Sequence, residues 1–337
     1  MRVLQVIDRL AVGGAEKVFT FLSNLLSDNN IKTGILLFNT GYPLEKELND
    51  SITIHDLNRG NKYNLVTLHK AHKFCSNYDI VHAHLRHVYT YIRLAQMIFG
   101  GKYKVILHDH AAINTPSFRL TGKFKPTYYI GVNKEQTDWA KSTLNIKGNN
   151  TFLLENTVSR VSDKHVPSDT DRLMMVANIR RVKNIEYAIG LCKQLNIGLT
   201  IYGHVIDQDY YEELLGLAAD TNIIINTGDV DVRSEYNKYS LAIHCSPKET
   251  GPLVLLEYLS AGIPFIAYKT GSAAEAIAKE LPILFMEKFD TDEWSTRIKE
   301  ITADNTLYEK MRALYQKSFT PQQYLENCLE IYKSVHS

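Results

Sequence analysis

The 337-residue chain has only four cysteines, and none of them belongs to a recognisable metal or redox motif. Cys75, Cys192, Cys245 and Cys328 are widely spaced, with no CxxC pair, which favours a reduced, cytoplasmic setting. No apolar run approaches the ~20 residues of a membrane span. The N-terminal segment MRVLQVIDRL carries charges inside its apolar run, so it predicts a first strand and not a signal peptide.

Two common nucleotide-binding fingerprints are also absent. The chain has no GxGxxG after its first strand, which argues against a nicotinamide dehydrogenase, and no GxxxxGK[ST] phosphate loop. The first strand-to-helix connection, DRLAVGGAE at 8–16, instead places Gly13 and Gly14 where a helix should begin. Glycines there permit close approach of a phosphate or sugar, although a plain turn accounts for the pair equally well.

Positive and negative charge are divided between the two halves of the chain. Residues 1–160 hold 20 Lys and Arg against 12 Asp and Glu, a net +8, and residues 161–337 hold 18 against 25, a net −7. The segments Arg59–Lys73 and Ser117–Tyr129 mix cations with aromatic residues, which predicts peripheral contact with an anionic membrane. A chance imbalance between two solvated surfaces remains the alternative. Nucleic acid is not expected as a partner, because the cations form no recognised reader.

Short β-branched runs alternate with longer helical patterns along the whole chain, which predicts parallel sheets covered by helices on both faces. The predicted strands are 3–7, 33–37, 52–55, 80–82, 105–108, 128–132, 152–154, 173–176, 199–202, 223–226, 241–244, 264–267 and 283–285. This number of elements favours two doubly wound domains with a cleft between them. The polar stretch Ser159–Asp171 is the predicted boundary, and 321–335 is a predicted amphipathic helix.

The most informative segment lies at 246–261 and reads SPKETGPLVLLEYLSA. Pro252 and Gly262 predict a short helix that starts near the first and stops before the second. The free backbone N–H groups of Leu253 and Val254 would then form an anion site of the kind that phosphates use.

Two glutamates bracket this segment. Glu249 precedes the predicted helix and Glu257 lies inside it, and carboxylates accept hydrogen bonds from sugar hydroxyls. Favourable interaction with the helix dipole accounts for Glu249 alone, but it explains Glu257 poorly, because the neighbours of Glu257 are apolar. A phosphate site at the helix N-terminus next to carboxylates that bind hydroxyls would suit a nucleotide-sugar, which has both groups.

Polar residues also follow other predicted strands. His82 and His84 lie at the carboxyl end of one predicted strand, and His108 and His110 lie at that of another. Alternate residues of a strand share a face, so four imidazoles converge, and zinc is the rival interpretation. Zinc is disfavoured because no carboxylate or thiolate clearly completes the set, and no metal is expected.

In the second half, three cations follow strand 173–176 at once: Arg180, Arg181 and Lys183. Such cations can neutralise a departing diphosphate, although a solvated turn has the same composition. The segments YGH at 202–204 and GDVDV at 228–232 end two further strands and could contact a nucleotide base. A plain turn fits each of them as well.

Taken in order, these motifs resemble the retaining glycosyltransferases of family 4, of the bacterial surface-polysaccharide type, over nearly the whole chain. The matching segments are GGAE at 13–16, DIVHAH at 79–84, VILHDH at 105–110, ENTVS at 155–159, ANIRRVKN at 177–184, IYGH at 201–204, TGDVDV at 227–232, the E-x7-E signature from 249 to 257, AGIPFIA at 261–267 and TGSAAEAI at 270–277.

The resemblance implies the GT-B fold, with two Rossmann-like α/β domains facing a central cleft. Residues 1–158 would bind the acceptor, residues 171–318 would bind the donor, and a helix in 319–337 would cross back onto the first domain. It implies a metal-independent, cofactor-free transfer of a hexosyl group with retention, from a UDP-sugar in preference to a GDP-sugar. The expected acceptor is a lipid-linked or saccharide hydroxyl, at the inner face of the plasma membrane.

Site residues follow from the same resemblance. Glu249 would hold donor-sugar hydroxyls, Glu257 the ribose, and Lys183 the departing phosphate. His110 would be the histidine that faces the sugar, with His82, His84 and His108 as further sugar-facing or acceptor-facing groups. The full expected donor set is Gly13, Gly14, Asn178, Arg180, Arg181, Lys183, Gly203, Val230, Glu249, Thr250, Gly251, Pro252, Leu253, Val254 and Glu257.

The chain departs from the family pattern at three places, one of which is Thr157, which follows Asn156 where glycine is common. Asn178 stands where the family often has an arginine, so Arg180 or Arg181 would have to substitute. ETGP replaces the usual EGFP or EGxP, which changes the expected sugar pocket at Thr250 and Gly251. Two alternatives follow: a sugar-nucleotide epimerase of the same fold, and a non-catalytic nucleotide-sugar-binding subunit.

Overall fold

The computed structural model describes residues 1–60, 64–111, 113, 120–159, 172–228 and 230–337. These residues form two compact units, one of Met1–Thr157 with Pro321–Ser337 and one of Val158–Thr320. Of the boundary predicted at Ser159–Asp171, only Ser159 lies within the described residues.

The N-terminal unit is built on a seven-stranded parallel sheet with the order β3-β2-β1-β4-β5-β6-β7. Its middle strands are almost wholly buried, because helices cover both faces of a parallel sheet. The strands are β1 (Arg2–Ile7), β2 (Lys32–Leu37), β3 (Thr53–Asp56), β4 (Ile80–His84), β5 (Lys104–Asp109), β6 (Tyr128–Gly131) and β7 (Thr151–Leu153). The connecting helices are α1 (Gly14–Asp28), α2 (Leu65–Cys75), α3 (Arg86–Phe99) and α4 (Lys134–Ser142).

The C-terminal unit has a six-stranded parallel sheet with the order β10-β9-β8-β11-β12-β13. Its strands are β8 (Arg172–Val176), β9 (Gly198–Tyr202), β10 (Ile223–Asn226), β11 (Leu241–His244), β12 (Phe265–Tyr268) and β13 (Phe285–Met286). Its helices are α5 (Ile185–Leu195), α6 (Gln208–Ala218), α7 (Val232–Glu235), α8 (Leu253–Ala261), α9 (Gly271–Ala278), α10 (Thr291–Ala303) and α11 (Leu307–Ser318). The predicted strand 283–285 is largely a 3-10 turn, Pro282–Leu284, because the fixed φ of Pro282 favours the first position of a helical turn.

The last helix, α12 (Pro321–His336), belongs to the N-terminal unit. Its apolar face buries Tyr324, Tyr332 and Val335 against Val3 and the residues around it in the sheet. The chain therefore returns to its first unit at its end. No helix in the described part of the chain is long and apolar enough to cross a bilayer.

Strand order reverses once in each sheet, and these positions decide where a ligand can bind. The reversal falls between β1 and β4 in the N-terminal unit and between β8 and β11 in the C-terminal unit. Connections leave in opposite directions at such a point and open a crevice at the carboxyl ends of the strands. The two candidate clusters described below lie beside these two points.

Candidate active site

Helix α8 provides the anion site in the C-terminal unit. It runs from Leu253 to Ala261, with Pro252 as its extended N-cap and Gly262 as a left-handed C-cap, as the sequence predicted. The N–H groups of a first helical turn have no partners within the helix. Leu253 and Val254 are both partly exposed, so their N–H groups stand at an accessible helix N-terminus.

The loop that leads into α8 is clamped by the start of α9. The Glu249 N–H donates to Thr270 Oγ1 at 3.2 Å, and the Ser272 N–H donates to the Thr250 carbonyl at 3.0 Å. Gly271 between them has a φ of +79°, and a Cβ there would lie 2.8 Å from Pro252 Cδ. The expected donor residues Thr250, Gly251 and Pro252 thus owe their positions to a segment 20 residues further along the chain.

Lys183 and Glu249 form an ion pair beside this helix N-terminus, and both side chains are mostly buried. Ser246 fixes the two loops to each other, because its hydroxyl donates to the Val182 carbonyl at 2.8 Å. Since Lys183 follows β8 and Glu249 follows β11, the pair lies at the strand-order reversal. A cation and a carboxylate that can accept hydrogen bonds from hydroxyl groups therefore lie together in the crevice.

His244, which the sequence analysis did not single out, lies on the buried side of the Lys183–Glu249 pair. Its Nε2 lies 3.9 Å from Glu249 Oε1, and the ring is buried. Burial lowers the His244 pKa to about 4, although the Glu249 carboxylate opposes the shift. Neither ring nitrogen has a hydrogen-bond partner in the described part of the chain. The imidazole is thus a neutral group with spare hydrogen-bonding capacity beside the candidate donor site.

Glu257 is held inside α8 by two partners that the sequence did not reveal. Its Oε2 accepts from the Tyr236 hydroxyl at 3.2 Å, and its Oε1 lies 3.7 Å from the Arg233 guanidinium. Only 7% of the residue is exposed. The partners explain how a carboxylate occupies an otherwise apolar helix, since a buried charge is stable only when paired.

Asn178, Arg180 and Arg181 are the positions considered for a second phosphate-binding cation beside Lys183, and their environments differ. Arg181 pairs with Glu213 at 2.5 Å and lies over the Tyr210 ring, so its guanidinium is engaged with α6. Arg180 is exposed, and Asn178 is partly exposed beside the β9 end. Of the two arginines, Arg180 is the one whose guanidinium has no partner among the described residues.

The ends of β9 and β10 carry the other expected donor contacts. A Cβ on Gly203 would collide with the Ala177 carbonyl, so only glycine allows these two chain segments to pack so closely. Val230 is partly exposed and packs against the core of the unit. Nearby, the Tyr202 hydroxyl bonds to the Tyr239 hydroxyl at 2.7 Å.

In the N-terminal unit, the four histidines that the sequence analysis singled out do lie close together, but three of them lie inside strands. His82 and His84 lie inside β4, His108 lies inside β5, and only His110 follows its strand. β4 ends two residues later than predicted and β5 one residue later, because the apolar pattern does not reveal that polar residues continue a buried strand. His82, His84 and His108 are fully buried, and His110 is half-buried.

His82, His84 and His110 form one hydrogen-bond network with Gln5 of β1 and Tyr332 of α12, neither of which the sequence indicated. Neither nitrogen of His108 has a hydrogen-bond partner among the described residues, and its ring packs against the other three. Gln5 Oε1 lies 2.9 Å from His84 Nε2, and His84 Nδ1 lies 3.0 Å from His110 Nε2. The Tyr332 hydroxyl lies 2.7 Å from His82 Nδ1. Burial lowers the pKa of His82 to about 3 and of His110 to about 4, so the network is neutral at pH 7.

The histidines do not present a metal-binding geometry. Nitrogens of His82, His84 and His108 lie within 4.8 Å of one another. However, the His82 and His84 rings stack with centroids 4.5 Å apart and planes 25° apart, so their in-plane lone pairs run side by side. Both His84 nitrogens are already hydrogen-bonded. Zinc needs converging lone pairs about 2.0–2.1 Å from the ion, and this set fits a neutral stacked network better.

The expected glycine contacts lie at the start of α1. Gly13 is its N-cap, and a Cβ there would collide with the Glu16 carboxylate. A Cβ on Gly14 would meet no atom of the described residues within 4 Å. Gly14 therefore borders open space that a ligand could enter.

Comparison with known proteins agrees with this architecture. Residues 160–318 match the family described as glycosyl transferases group 1. A search of curated proteins found no match. A glycosyltransferase from Rickettsia africae is 18% identical with a TM-score of 0.82, and 99% of this chain and 98% of that chain are covered.

Two further solved structures share the fold. Anabaena Alr3699/HepE in complex with UDP-glucose is 16% identical, with a TM-score of 0.82 and coverage of 99% and 100%. A sucrose-phosphate synthase from Thermosynechococcus elongatus is 15% identical, with a TM-score of 0.77 and coverage of 99% of both chains. The chain thus has two Rossmann-like units of the GT-B fold, and its C-terminal unit matches the group 1 glycosyl transferases.

Proposed function

We propose that this protein is a retaining glycosyltransferase that moves a hexosyl group from a UDP-sugar to a hydroxyl of a lipid-linked or saccharide acceptor, in cell-surface polysaccharide assembly. The observation that carries the proposal is the Lys183–Glu249 pair beside the free N-terminus of α8. The pair places a carboxylate, which accepts hydrogen bonds from sugar hydroxyls, beside an anion site. Both lie within the region that matches the glycosyl transferase family. The Anabaena structure with UDP-glucose supports the choice of a uridine donor.

In this proposal the C-terminal unit holds the donor. The N–H groups of Leu253 and Val254 bind the diphosphate, and Lys183 moves from its partner carboxylate towards the same charge. Glu249, released from Lys183, then accepts hydrogen bonds from the sugar. Glu257 contacts the ribose with the oxygen that faces Arg233, because the Tyr236 hydroxyl already occupies the other.

The N-terminal unit contributes the acceptor side and His110. We favour a front-face reaction in which the bond from the anomeric carbon to the diphosphate oxygen breaks as the bond to the acceptor oxygen forms. The acceptor's proton passes to the leaving diphosphate oxygen. Lys183 and the helix N-terminus stabilise the charge that develops there. Isolation of a covalent glycosyl-enzyme would contradict this route.

The test measures UDP release and product formation with a panel of UDP-sugars and GDP-sugars. Lys183→Ala and Glu249→Gln should each lower kcat by about 10²–10³, the usual cost of losing one preorganised electrostatic group. The matched controls are Lys299→Ala and Glu309→Gln, because both side chains are exposed on helices of the same unit, away from the ion pair. Equal effects of the site and control variants would reject the proposed site.

Product analysis separates the two alternatives. Without an acceptor, an epimerase would convert the sugar nucleotide into its epimer, whereas a transferase would leave the configuration of the sugar in the sugar nucleotide unchanged. A non-catalytic subunit would bind UDP, as seen by a thermal shift, but release none from a UDP-sugar. A ligand at ~100 times its dissociation constant adds about 2.7 kcal/mol, so binding is readily seen. The anomeric configuration of the product, read by NMR, tests retention.

We also propose that helix α2 docks the enzyme on an anionic membrane at the inner face of the plasma membrane. Its exposed face carries Leu65 and Val66, which are 62% and 75% exposed, followed by Lys70 and Lys73. Apolar side chains next to lysines suit the boundary between lipid headgroups and acyl chains. Of the basic segments considered earlier, residues 61–63 and 117–119 lie outside the described residues.

Vesicle flotation tests the membrane proposal. The protein should float with vesicles that contain anionic phosphatidylglycerol at low salt and should not float with neutral vesicles. The double variant Leu65→Ser with Val66→Ser should weaken flotation, whereas Leu215→Ser, on an exposed position of α6, should not. Absence of flotation at low salt would reject membrane docking and leave the transferase proposal intact.

A further inference from the structure

Gln5 occupies the centre of the buried network in the N-terminal unit. It lies opposite His82 in the pairing of β1 with β4, and its side chain is fully buried. Its amide nitrogen donates to the Tyr332 hydroxyl at 2.8 Å, and its amide oxygen faces His84 Nε2 at 2.9 Å. A single glutamine thus faces a histidine on one side and a tyrosine of α12 on the other.

The direction of this amide determines where the protons of the histidines lie. An amide oxygen can only accept, so the proton of neutral His84 is on Nε2. His84 Nδ1 is then a lone-pair acceptor, and its neighbour at 3.0 Å, His110 Nε2, must be the donor. A neutral imidazole carries one ring proton, so His110 Nδ1 carries none.

The ring geometry supports a true hydrogen bond between these two histidines. The His84 and His110 planes differ by only 11°, and their centroids are 5.2 Å apart although the nearest nitrogens are 3.0 Å apart. The rings therefore meet at their edges, in nearly one plane, and the His84 lone pair points along the bond. Such alignment transmits the proton preference of one ring to the next.

We infer that Gln5 is a positioning residue that fixes His110 as the tautomer with an unprotonated Nδ1, so that His110 accepts a hydrogen bond from a substrate hydroxyl and does not donate one to a phosphate. Within the described part of the chain, His110 Nδ1 has no hydrogen-bond partner, and the residue is half-buried at the carboxyl edge of the sheet. This inference rests on the proposed function for the identity of the substrate, but not for the tautomer.

Burial supports the same assignment from another side. Because burial lowers the pKa of His110 to about 4 and that of His84 well below its ordinary value, neither ring carries a charge at neutral pH. His110 is therefore neither a cation for the diphosphate nor a proton donor through Nδ1. A sugar or acceptor hydroxyl is the substrate group that matches an unprotonated nitrogen.

Nitrogen-15 NMR of the full-length, unliganded protein with labelled histidine side chains tests the inference directly. The two-bond correlations of each ring distinguish a protonated from an unprotonated nitrogen, and the His110→Asn spectrum assigns the His110 signals. We expect protonated Nε2 and unprotonated Nδ1 in His110. The reverse pattern, which a rotated Gln5 amide would produce, would overturn the inference, and so would an equal mixture of tautomers.

Two variants separate the role of the amide from general packing. Gln5→Met keeps the length of the side chain but removes the acceptor for His84, so His110 should lose its single tautomer and kcat should fall about 10-fold. Tyr332→Phe removes a hydroxyl of the same network but leaves Gln5 Oε1 facing His84, so the His110 pattern should persist. An unchanged His110 pattern in Gln5→Met would overturn the inference. If that variant fails to fold, the spectrum of the wild-type protein still tests which His110 nitrogen carries the proton. Because the spectra need no donor, failure of the transferase proposal would be seen separately in the turnover assay.

Discussion

Gly271 offers a sharp test of how the candidate donor site is held in place. Its φ is +79°, in the left-handed region that residues with a side chain disfavour by roughly 1–2 kcal/mol. A Cβ would also lie 2.8 Å from Pro252 Cδ and 3.0 Å from the Glu249 carbonyl oxygen. Overpacking of this kind costs about 1–3 kcal/mol, so Gly271→Ala should lose about 2–5 kcal/mol in total.

The matched control is Gly190→Ala, because the same substitution should have the opposite sign there. Gly190 lies inside helix α5, and in the part of the chain that the structure describes no atom lies within 4 Å of a Cβ built on it. Alanine in a helix interior is favoured over glycine by roughly 0.5–1 kcal/mol, mainly through the backbone entropy of the unfolded chain. The two variants therefore add the same methyl group with opposite expected effects on stability.

The assay can be confined to the C-terminal unit. The chain has two tryptophans, and in a Trp139→Phe background only Trp294 of helix α10 remains. Trp294 is fully buried and donates its ring N–H to the Lys288 carbonyl at 2.7 Å, so its fluorescence reports unfolding of that unit. Urea titration at 25 °C then gives the free energy of unfolding for each variant.

Binding gives a second readout of the same perturbation. Because the colliding atoms belong to the Glu249–Pro252 loop, Gly271→Ala should also weaken UDP binding by about tenfold, which is about 1.4 kcal/mol. Gly190→Ala should leave UDP affinity unchanged. If Gly271→Ala is as stable as its parent, or binds UDP equally well, the clamp between α9 and the loop has been misread.

Three further predictions concern buried polar groups. Arg86→Leu should destabilise the N-terminal unit by about 3–5 kcal/mol, because it leaves the fully buried Asp109 carboxylate without its ion-pair partner at 2.8 Å; a loss below 1 kcal/mol in urea unfolding would contradict this. Ser246→Ala should cost about 1–3 kcal/mol and lower kcat, since the Val182 carbonyl loses its donor, whereas an unchanged rate would show that the 180–183 turn is held by other contacts. The folded His82 pKa of about 3 lies below the ordinary 6.5, so the unfolded state takes up this proton first and stability falls as pH drops from 6.5 towards 3, by about 2 kcal/mol at pH 5. His82→Gln should therefore give a shallower acid-side loss, and an equally steep loss in that variant would count against the prediction.

The sequence by itself determined the parts of this protein that depend on neighbouring residues. Alternation of apolar strands and helices predicted two doubly wound units, because burial on both faces imposes continuous apolar runs on parallel strands. Pro252 and Gly262 predicted the limits of helix α8 through backbone preferences that act within a few residues. For the same reason, the approach of Glu249 to a helix N-terminus could be expected from its spacing alone.

The tertiary structure decided which polar groups meet. Gln5 and Tyr332 are 327 positions apart, yet they share a hydrogen bond inside the histidine network, and no local pattern predicts this contact. Arg181 was a candidate phosphate ligand by its position after a strand, but its actual partner, Glu213, comes from helix α6. The sequence restricts each residue to a strand end or helix face. Which side chains then pair depends on the strand order and on the return of α12 to the first unit, because hydrogen bonds and ion pairs form between neighbours in space and not along the chain.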